Sequence, residues 1–309
     1  MIFLTGFADE AADNIDGQIR AIQQLGWSHI ELRSIDKINI TDIPNKDFEI
    51  VADQIEKANL QVNAFGSTIC NWGKSILEPM DRDLEEIERA IPRMQALGTR
   101  YVRIMSYGVL RDRDPNDQFV EERIKRLNQV VERFADAGLQ ALHENCANYG
   151  GMGWQFTQRL LDGVPGLQLI FDTANPATTL DRSKPMPYPT QSPWEFYQNV
   201  RDHIAHVHVK DGRFIADNPD SIFEDAEYVW PGEGDGDVKR IVEDLIHNGY
   251  QGGFSIEPHL SVVYHDENQN SPKQYRFESF IEYGKRLERI IDEIRNNAAS
   301  TQPTATKLP

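Results

Sequence analysis

Short runs rich in apolar and β-branched residues recur along the chain, and helical stretches separate them. This alternation is typical of successive βα units, which build a parallel sheet. Eight runs are predicted strands, at 2–7, 29–34, 60–66, 101–106, 139–145, 167–173, 204–210 and 253–258. Eight strands alternating with eight helices over about 290 residues favour a closed α/β barrel, the eight-stranded parallel TIM barrel, over an open doubly wound sheet. We therefore predict one barrel domain over 1–295 and a flexible, disordered tail over 296–309, which lacks apolar periodicity.

Several predicted helices have recognisable ends. Asp237 precedes a one-sided apolar pattern over 238–246 and is a candidate N-cap, and Gly249 follows where a left-handed cap is expected. The stretches SPWE (192–195) and SPKQ (271–274) each place a Ser cap before a Pro at the first helical position. These signals predict the starts of the sixth, seventh and eighth helices.

Two predicted connections, 175–191 and 211–236, are longer than most loops. Both follow strands, so they belong to the carboxyl-terminal face of the barrel, where barrel active sites are built. We expect them to form walls of a pocket.

Charge and composition narrow the class of protein. The 309 residues carry a net charge of −17 and no run of Lys or Arg, which argues against nucleic acid as a partner. The first 14 residues lack a basic segment and a long apolar run, so neither a signal peptide nor a membrane anchor is expected. Cys70 and Cys146 are too few for a disulfide framework. A cytoplasmic protein without membrane contact is predicted.

Side-chain alternation along the later strands places polar groups inside the barrel. In 253–258, Phe254 and Ile256 form the outward apolar face, so Glu257 points inward at the mouth. The same alternation turns three more side chains inward, those of Glu144, Asp172 and His208. Carboxylates brought so close repel each other unless a cation neutralises them. One divalent metal ion resolves the conflict: Mn²⁺, Mg²⁺, Co²⁺ or Fe²⁺, with Zn²⁺ possible. Unrelated strand-end salt bridges are the alternative interpretation.

Four motifs at these strand ends resemble those of the xylose isomerase-like TIM barrel superfamily, in the sugar phosphate isomerase/epimerase family. They are HEN (143–145), FDTANP (171–176), HVHVKD (206–211) and SIEPH (255–259), and the resemblance covers about residues 1 to 292. It implies that Glu144, Asp172, His208 and Glu257 bind one divalent ion. It also implies catalytic roles for Glu144 and Glu257, which would exchange protons with the carbon next to a metal-bound carbonyl.

The resemblance favours a metal-dependent isomerase or epimerase of a small ketose or keto-sugar. The chain departs from better-known ketose epimerases at Asn175 and Gly150, where those have a His and a substrate-binding Glu, and it has Arg213 beside the usual Arg position. An inosose or 3-keto glycoside suits such a site better than a free ketohexose. A dehydratase or lyase acting on an inosose, a 3-keto sugar or a dehydroshikimate-like substrate is the alternative. A catalytically inactive barrel that binds a sugar or a protein is a third interpretation, and a metal-dependent hydrolase is a fourth. A homo-oligomer is possible.

Five further residues are candidates for substrate binding: Lys210, His259, Glu31, Trp230 and Arg213. For the charged ones the alternative is a structural ion pair, and for Trp230 and His259 it is a place in a loop. His206 and His143 are expected to be hydrogen-bonded or packed residues rather than ligands.

Overall fold

The computed structural model describes residues 1–221, 223–261 and 272–300, and strands alternate with helices in the predicted order. The first elements are β1 (Phe3–Gly6), α1 (Ile15–Gln24), β2 (His29–Leu32), β3 (Ser34–Ile35), β4 (Ile38–Asn39), α2 (Asn45–Lys57), β5 (Gln61–Gly66), α3 (Asp81–Leu97), β6 (Tyr101–Ile104) and α4 (Val120–Asp136). They are followed by β7 (Gln140–Glu144), α5 (Trp154–Gly163), β8 (Gln168–Asp172), α6 (Pro193–Val200), β9 (Ile204–Val209), β10 (Gly212–Ala216), β11 (Asp225–Tyr228), α7 (Val238–His247), β12 (Gly253–Ile256) and α8 (Lys273–Ser300).

Eight of these strands form one parallel sheet in the order β1-β12-β9-β8-β7-β6-β5-β2. Its two end strands lie side by side, because Phe7 and Glu31 form a parallel bridge just beyond β1 and within β2. The sheet is therefore a nearly closed barrel ringed by eight helices. The predicted TIM barrel and all eight predicted barrel strands are confirmed.

The main apolar core lies between the barrel wall and the helices. Phe254 and Ile256 of β12 are fully buried on the outward face, as the alternation predicts. Ile241 and Val242 on the apolar side of α7 are also fully buried. Since apolar residues occupy the outward positions, the polar residues between them project into the barrel.

The helix ends agree with the sequence at one position and differ at another. The Ser192 hydroxyl accepts the backbone N–H of Glu195 at 3.2 Å and so caps α6, as predicted. Asp237 precedes α7 but its side chain makes no capping bond, because its backbone is left-handed with φ 51°. The predicted cap Ser271 lies outside the described residues.

The structure adds two antiparallel hairpins that the sequence pattern did not predict. β3 pairs with β4, and β10 pairs with β11 inside the predicted loop 211–236. Helix α8 runs to Ser300, so residues 296–300 of the predicted tail are helical, and the rest of that tail lies outside the described residues. Among the described helices, none is long and apolar enough to cross a membrane.

Candidate metal centre

Four side chains converge inside the barrel at the carboxyl ends of β7, β8, β9 and β12. Glu144, Asp172, His208 and Glu257 each offer one ligand atom, and these atoms lie within 4.8 Å of one another. All four residues are buried, and none is more than 3% exposed. The register explains the convergence, since His208 pairs across the sheet with Asp172 on one side and with Ser255 on the other. The predicted ligand set is thus assembled at one point.

The contacts of these atoms suit a divalent cation. The Nδ1 atom of His208 lies 3.0 Å from Oε1 of Glu144 and 3.8 Å from Oε2 of Glu257. Oδ1 of Asp172 accepts the N–H groups of Ala174 and Asn175, which fixes the carboxylate plane. Within the described residues, its buried Oδ2 accepts no hydrogen bond. This oxygen faces other carboxylates and has the ammonium group of Lys210 3.3 Å away, an environment suited to a cation.

Three cations surround the carboxylates. Lys210 Nζ lies 3.1 Å from Oε2 of Glu257 and 3.3 Å from Oδ2 of Asp172. Arg33 contacts Oε1 of Glu257 at 2.5 Å, and Arg103 contacts Oε2 of Glu144 at 3.3 Å. Each glutamate therefore has one oxygen held by a guanidinium group.

The pKa values reflect this packing of charges. Burial lowers the pKa of His208, but the carboxylates of Glu31 and Glu144 outweigh it and raise the value to about 10. Burial raises the pKa of Asp172 to about 7; Lys210 opposes the rise, while Glu257 and Glu144 add to it. Burial also tends to raise the pKa of Glu257, yet Lys210, His259 and Arg33 hold it well below its usual value. A cation bound here would therefore displace a proton from His208.

Two predicted substrate-binding residues lie at the cluster. Lys210 contacts two of the predicted ligands, as described above. The Nδ1 atom of His259 lies 2.8 Å from Oε1 of Glu10, and its Nε2 atom lies 3.9 Å from Oε1 of Glu257. The Tyr228 ring packs edge-on against His259, with ring centroids 5.0 Å apart. Both Lys210 and His259 are thus beside the carboxylate expected to act on a substrate.

The other three predicted substrate-binding residues are placed differently. Glu31 is fully buried, and its two oxygens contact His206 and His208. Trp230 packs on α8, with the guanidinium group of Arg286 4.2 Å from its ring centroid. The side chain of Arg213 is 43% exposed on the β10–β11 hairpin, 3.6 Å from Glu227. Among the described residues, the contacts of Trp230 and Arg213 are thus with α8 and the hairpin rather than with the cluster, and their roles in substrate binding stay predictions.

The two other interior histidines are hydrogen-bonded, as expected. His143 contacts the Ser106 hydroxyl at 3.0 Å and Oδ1 of Asn148 at 3.2 Å. It points away from the cluster because it directly precedes Glu144 in β7, and successive side chains of a strand point to opposite faces. His206 contacts Glu31 at 2.9 Å, one layer deeper than His208.

Sequence reasoning missed Arg33, Arg103 and Glu10. Strand alternation was a usable signal for Arg103, because Val102 and Ile104 are its apolar neighbours in β6. The same rule places Arg33 on the face of Glu31, two residues earlier. No periodic signal pointed to Glu10, which lies in a short 3₁₀ turn, Ala8–Glu10.

Comparison with known proteins places this site in a family. The model of the xylose isomerase-like TIM barrel family matches residues 19–278. The chain belongs to this family. No functionally curated protein is a significant match.

Several solved structures share the fold of this family member. The probable 3-DHS dehydratase AsbF of Bacillus anthracis has a TM-score of 0.67 at 16% identity, with 93% of this chain and 99% of that chain covered. The 3-keto-D-glucoside 4-epimerase YcjR of E. coli has a TM-score of 0.61 at 19% identity, with 93% and 98% covered. A xylose isomerase-like barrel of Mycobacterium smegmatis, solved in complex with magnesium, has a TM-score of 0.63 at 15% identity, with 94% and 97% covered. At these identities the likeness shows the fold.

Proposed function

We propose that this protein is a divalent-metal-dependent isomerase or epimerase that acts on a small ketose or keto-sugar through an enediolate. The carrying observation is the buried convergence of Glu144, Asp172, His208 and Glu257 within 4.8 Å. Epimerase, dehydratase and magnesium-containing structures among the similar folds are consistent with this chemistry.

The residues present fit a bound divalent ion. The set offers three carboxylates and one imidazole, which suits Mn²⁺, Mg²⁺, Co²⁺ or Fe²⁺ and is compatible with Zn²⁺. The Asp172 oxygen that accepts no hydrogen bond among the described residues faces the other three. When bound, such an ion would lower the pKa of the C–H bond beside a chelated carbonyl and stabilise the enediolate charge.

The two glutamates are placed to move the proton. Arg33 holds one oxygen of Glu257 and Arg103 holds one oxygen of Glu144. The second oxygen of each glutamate is therefore oriented. With one carboxylate on each side of the substrate carbon, one removes the proton and the other returns a proton from the opposite face. Delivery of the proton to the neighbouring carbon of the enediolate gives isomerisation, and return of a proton to the same carbon from the opposite face gives epimerisation. Lys210 is placed to stabilise an oxyanion next to Glu257.

A dehydratase is the second candidate, and the pair formed by His259 and Glu10 favours it. Burial raises the pKa of Glu10 to about 8, with Arg33 opposing the rise, and burial lowers the pKa of His259 to about 3. The pair therefore holds a proton close to Glu257 at neutral pH. An elimination needs such a proton for the departing hydroxyl group.

The test combines metal content with proton exchange. We expect about one divalent ion per chain by elemental analysis, and deuterium uptake from D₂O into one member of a panel of ketoses, inososes and 3-keto sugars. Glu257→Gln should abolish the exchange. Glu86→Gln is the matched control, because Glu86 is a fully buried carboxylate outside the cluster, paired with Lys74 at 2.7 Å.

The products separate the two candidates. A new epimer or isomer supports the proposed reaction, whereas loss of water from the substrate supports the dehydratase. Wild-type protein that binds no divalent ion when titrated with Mn²⁺, Mg²⁺, Co²⁺, Fe²⁺ and Zn²⁺ overturns both.

A further inference from the structure

A single carboxylate joins the two histidines of β9 from across the barrel. Oε1 of Glu31 lies 3.1 Å from Nε2 of His208, and Oε2 lies 2.9 Å from Nε2 of His206. Glu31 is on β2, which is not adjacent to β9 in the sheet. All three residues are at most 1% exposed. Glu31 thus spans the interior rather than facing the mouth.

This contact decides how His208 presents its ring. A carboxylate accepts hydrogen bonds and does not donate them when ionised, so the Nε2 atom beside Glu31 carries a proton. Once a metal ion has displaced the other proton of the imidazolium, the neutral ring keeps its proton on Nε2 and has its lone pair on Nδ1. That atom is the one that faces Glu144 Oε1 at 3.0 Å and Glu257 Oε2 at 3.8 Å. The lone pair is therefore directed into the predicted ligand set.

Two further contacts limit movement of the ring. The Phe7 ring packs edge-on against His208, with centroids 4.9 Å apart. His206 holds the second oxygen of Glu31, so the carboxylate cannot rotate without breaking a buried hydrogen bond. The ring of His208 is thus fixed on one edge by Phe7 and at one nitrogen by Glu31.

We propose that Glu31 is a positioning residue of the metal centre, which fixes the tautomer and orientation of His208, and that His206 holds Glu31 in place. This inference rests on the proposed metal-dependent function. It replaces the predicted role of Glu31 in substrate binding, since both of its oxygens are occupied by histidines.

Co²⁺ binding, followed by visible absorption and by titration calorimetry, tests the proposal without an activity assay. Partners of this type typically change metal affinity 10- to 100-fold. We expect about 10-fold weaker binding for Glu31→Gln, which keeps one acceptor, and about 100-fold for Glu31→Met, which keeps none. The Co²⁺ absorption bands should also shift, because the imidazole is no longer oriented.

Glu86→Gln is the control for general loss of stability after a buried carboxylate is neutralised, and it should bind Co²⁺ as wild type does. Equal Co²⁺ affinity and spectra in Glu31→Met and wild type would overturn the positioning role while leaving the metal proposal intact. Wild-type protein that binds no Co²⁺, Mn²⁺ or Zn²⁺ would instead overturn the metal proposal itself.

A second measurement covers the case in which the Glu31 variants do not fold. Nitrogen-15 NMR of histidine-labelled wild-type protein loaded with Zn²⁺ reports which ring nitrogen carries the proton. We expect the proton of His208 on Nε2 and the metal on Nδ1. A proton on Nδ1 would overturn the inference.

Discussion

The Asp211 carboxylate offers a direct test of the structure, because it accepts hydrogen bonds from four backbone N–H groups. Oδ1 accepts those of Gly212 and Gly236 at 2.9 Å each, and Oδ2 accepts those of Gly232 at 2.8 Å and Gly234 at 3.0 Å. The residue is fully buried. One side chain thus ties the loop before α7 to the end of β9, directly after Lys210.

Asp211→Asn keeps the shape but replaces one acceptor oxygen with an NH₂ group. Two backbone N–H groups then face a donor and lose their partner. A donor left unpaired in this way costs about 1–3 kcal/mol, so the substitution should destabilise the protein by about 2–6 kcal/mol. The loop cannot easily shift to separate the new NH₂ group from the backbone N–H groups, because Gly234 packs tightly on this side chain: a Cβ at Gly234 would lie 2.3 Å from Asp211 Oδ1.

Urea unfolding followed by circular dichroism measures the global cost, and hydrogen exchange of the peptide over 230–237 measures the local one. Asp53→Asn is the control: Asp53 pairs with Lys57 at an exposed helix surface, and a change of about 0.5 kcal/mol or less is expected. A change under about 1 kcal/mol for Asp211→Asn, with exchange of the loop amides unaltered, would refute the view that this carboxylate holds the loop.

Three further predictions concern the backbone, the response to pH and the metal. Gly151→Ala should prevent accumulation of folded protein, because a Cβ there would lie 1.7 Å from the Cys146 carbonyl oxygen. Gly73→Ala is the control and should express normally, because its Cβ would meet no described atom closer than 3.4 Å. The soluble yields of the two variants are compared. Burial lowers the pKa of His143 from 6.5 to about 4, so the unfolded chain takes up a proton first as the pH falls and stability is lost between these values. At 1.36 kcal/mol per pH unit, the stability lost over this range is about 3 kcal/mol. In denaturation curves at pH 7 and pH 4, His143→Gln should therefore lose correspondingly less stability than the wild type. An equal loss in the two proteins would contradict this prediction. Finally, saturation with metal at about 100 times its Kd should stabilise the wild type by about 2.7 kcal/mol relative to chelator-treated protein, and Asp172→Asn should lose this difference in thermal melts.

Much of the barrel could be predicted because its signals are local. Alternation of apolar and polar residues follows from the pleat of each strand, and it correctly turned Glu144, Asp172, His208 and Glu257 to the interior. Parallel strands end at one face of the barrel, so the meeting of residues at four strand ends can be predicted without knowing how the helices pack. The placement of these four side chains at one mouth of the barrel therefore follows from period and order alone.

Loop residues are harder to place from sequence because no period governs them. Trp230 and Arg213 lie in the long connection 211–236, where the sequence shows neither strand pairing nor direction. The β10–β11 hairpin directs Arg213 toward Glu227, and the turn after it directs Trp230 toward Arg286 of α8. Contacts between a loop and a distant helix depend on packing that is set only after the barrel has formed.

The sequence by itself determined the order of strands and helices, their inward and outward faces, and the set of acidic and imidazole groups at the mouth. Only the tertiary structure decided which of these groups contact each other. Glu31 and His208 are 177 positions apart and belong to strands that are not adjacent in the sheet, and Arg33 reaches Glu257 over 224 positions. Closure of the barrel creates these pairs, because interior partners are set by its radius and stagger and not by any local repeat of the chain.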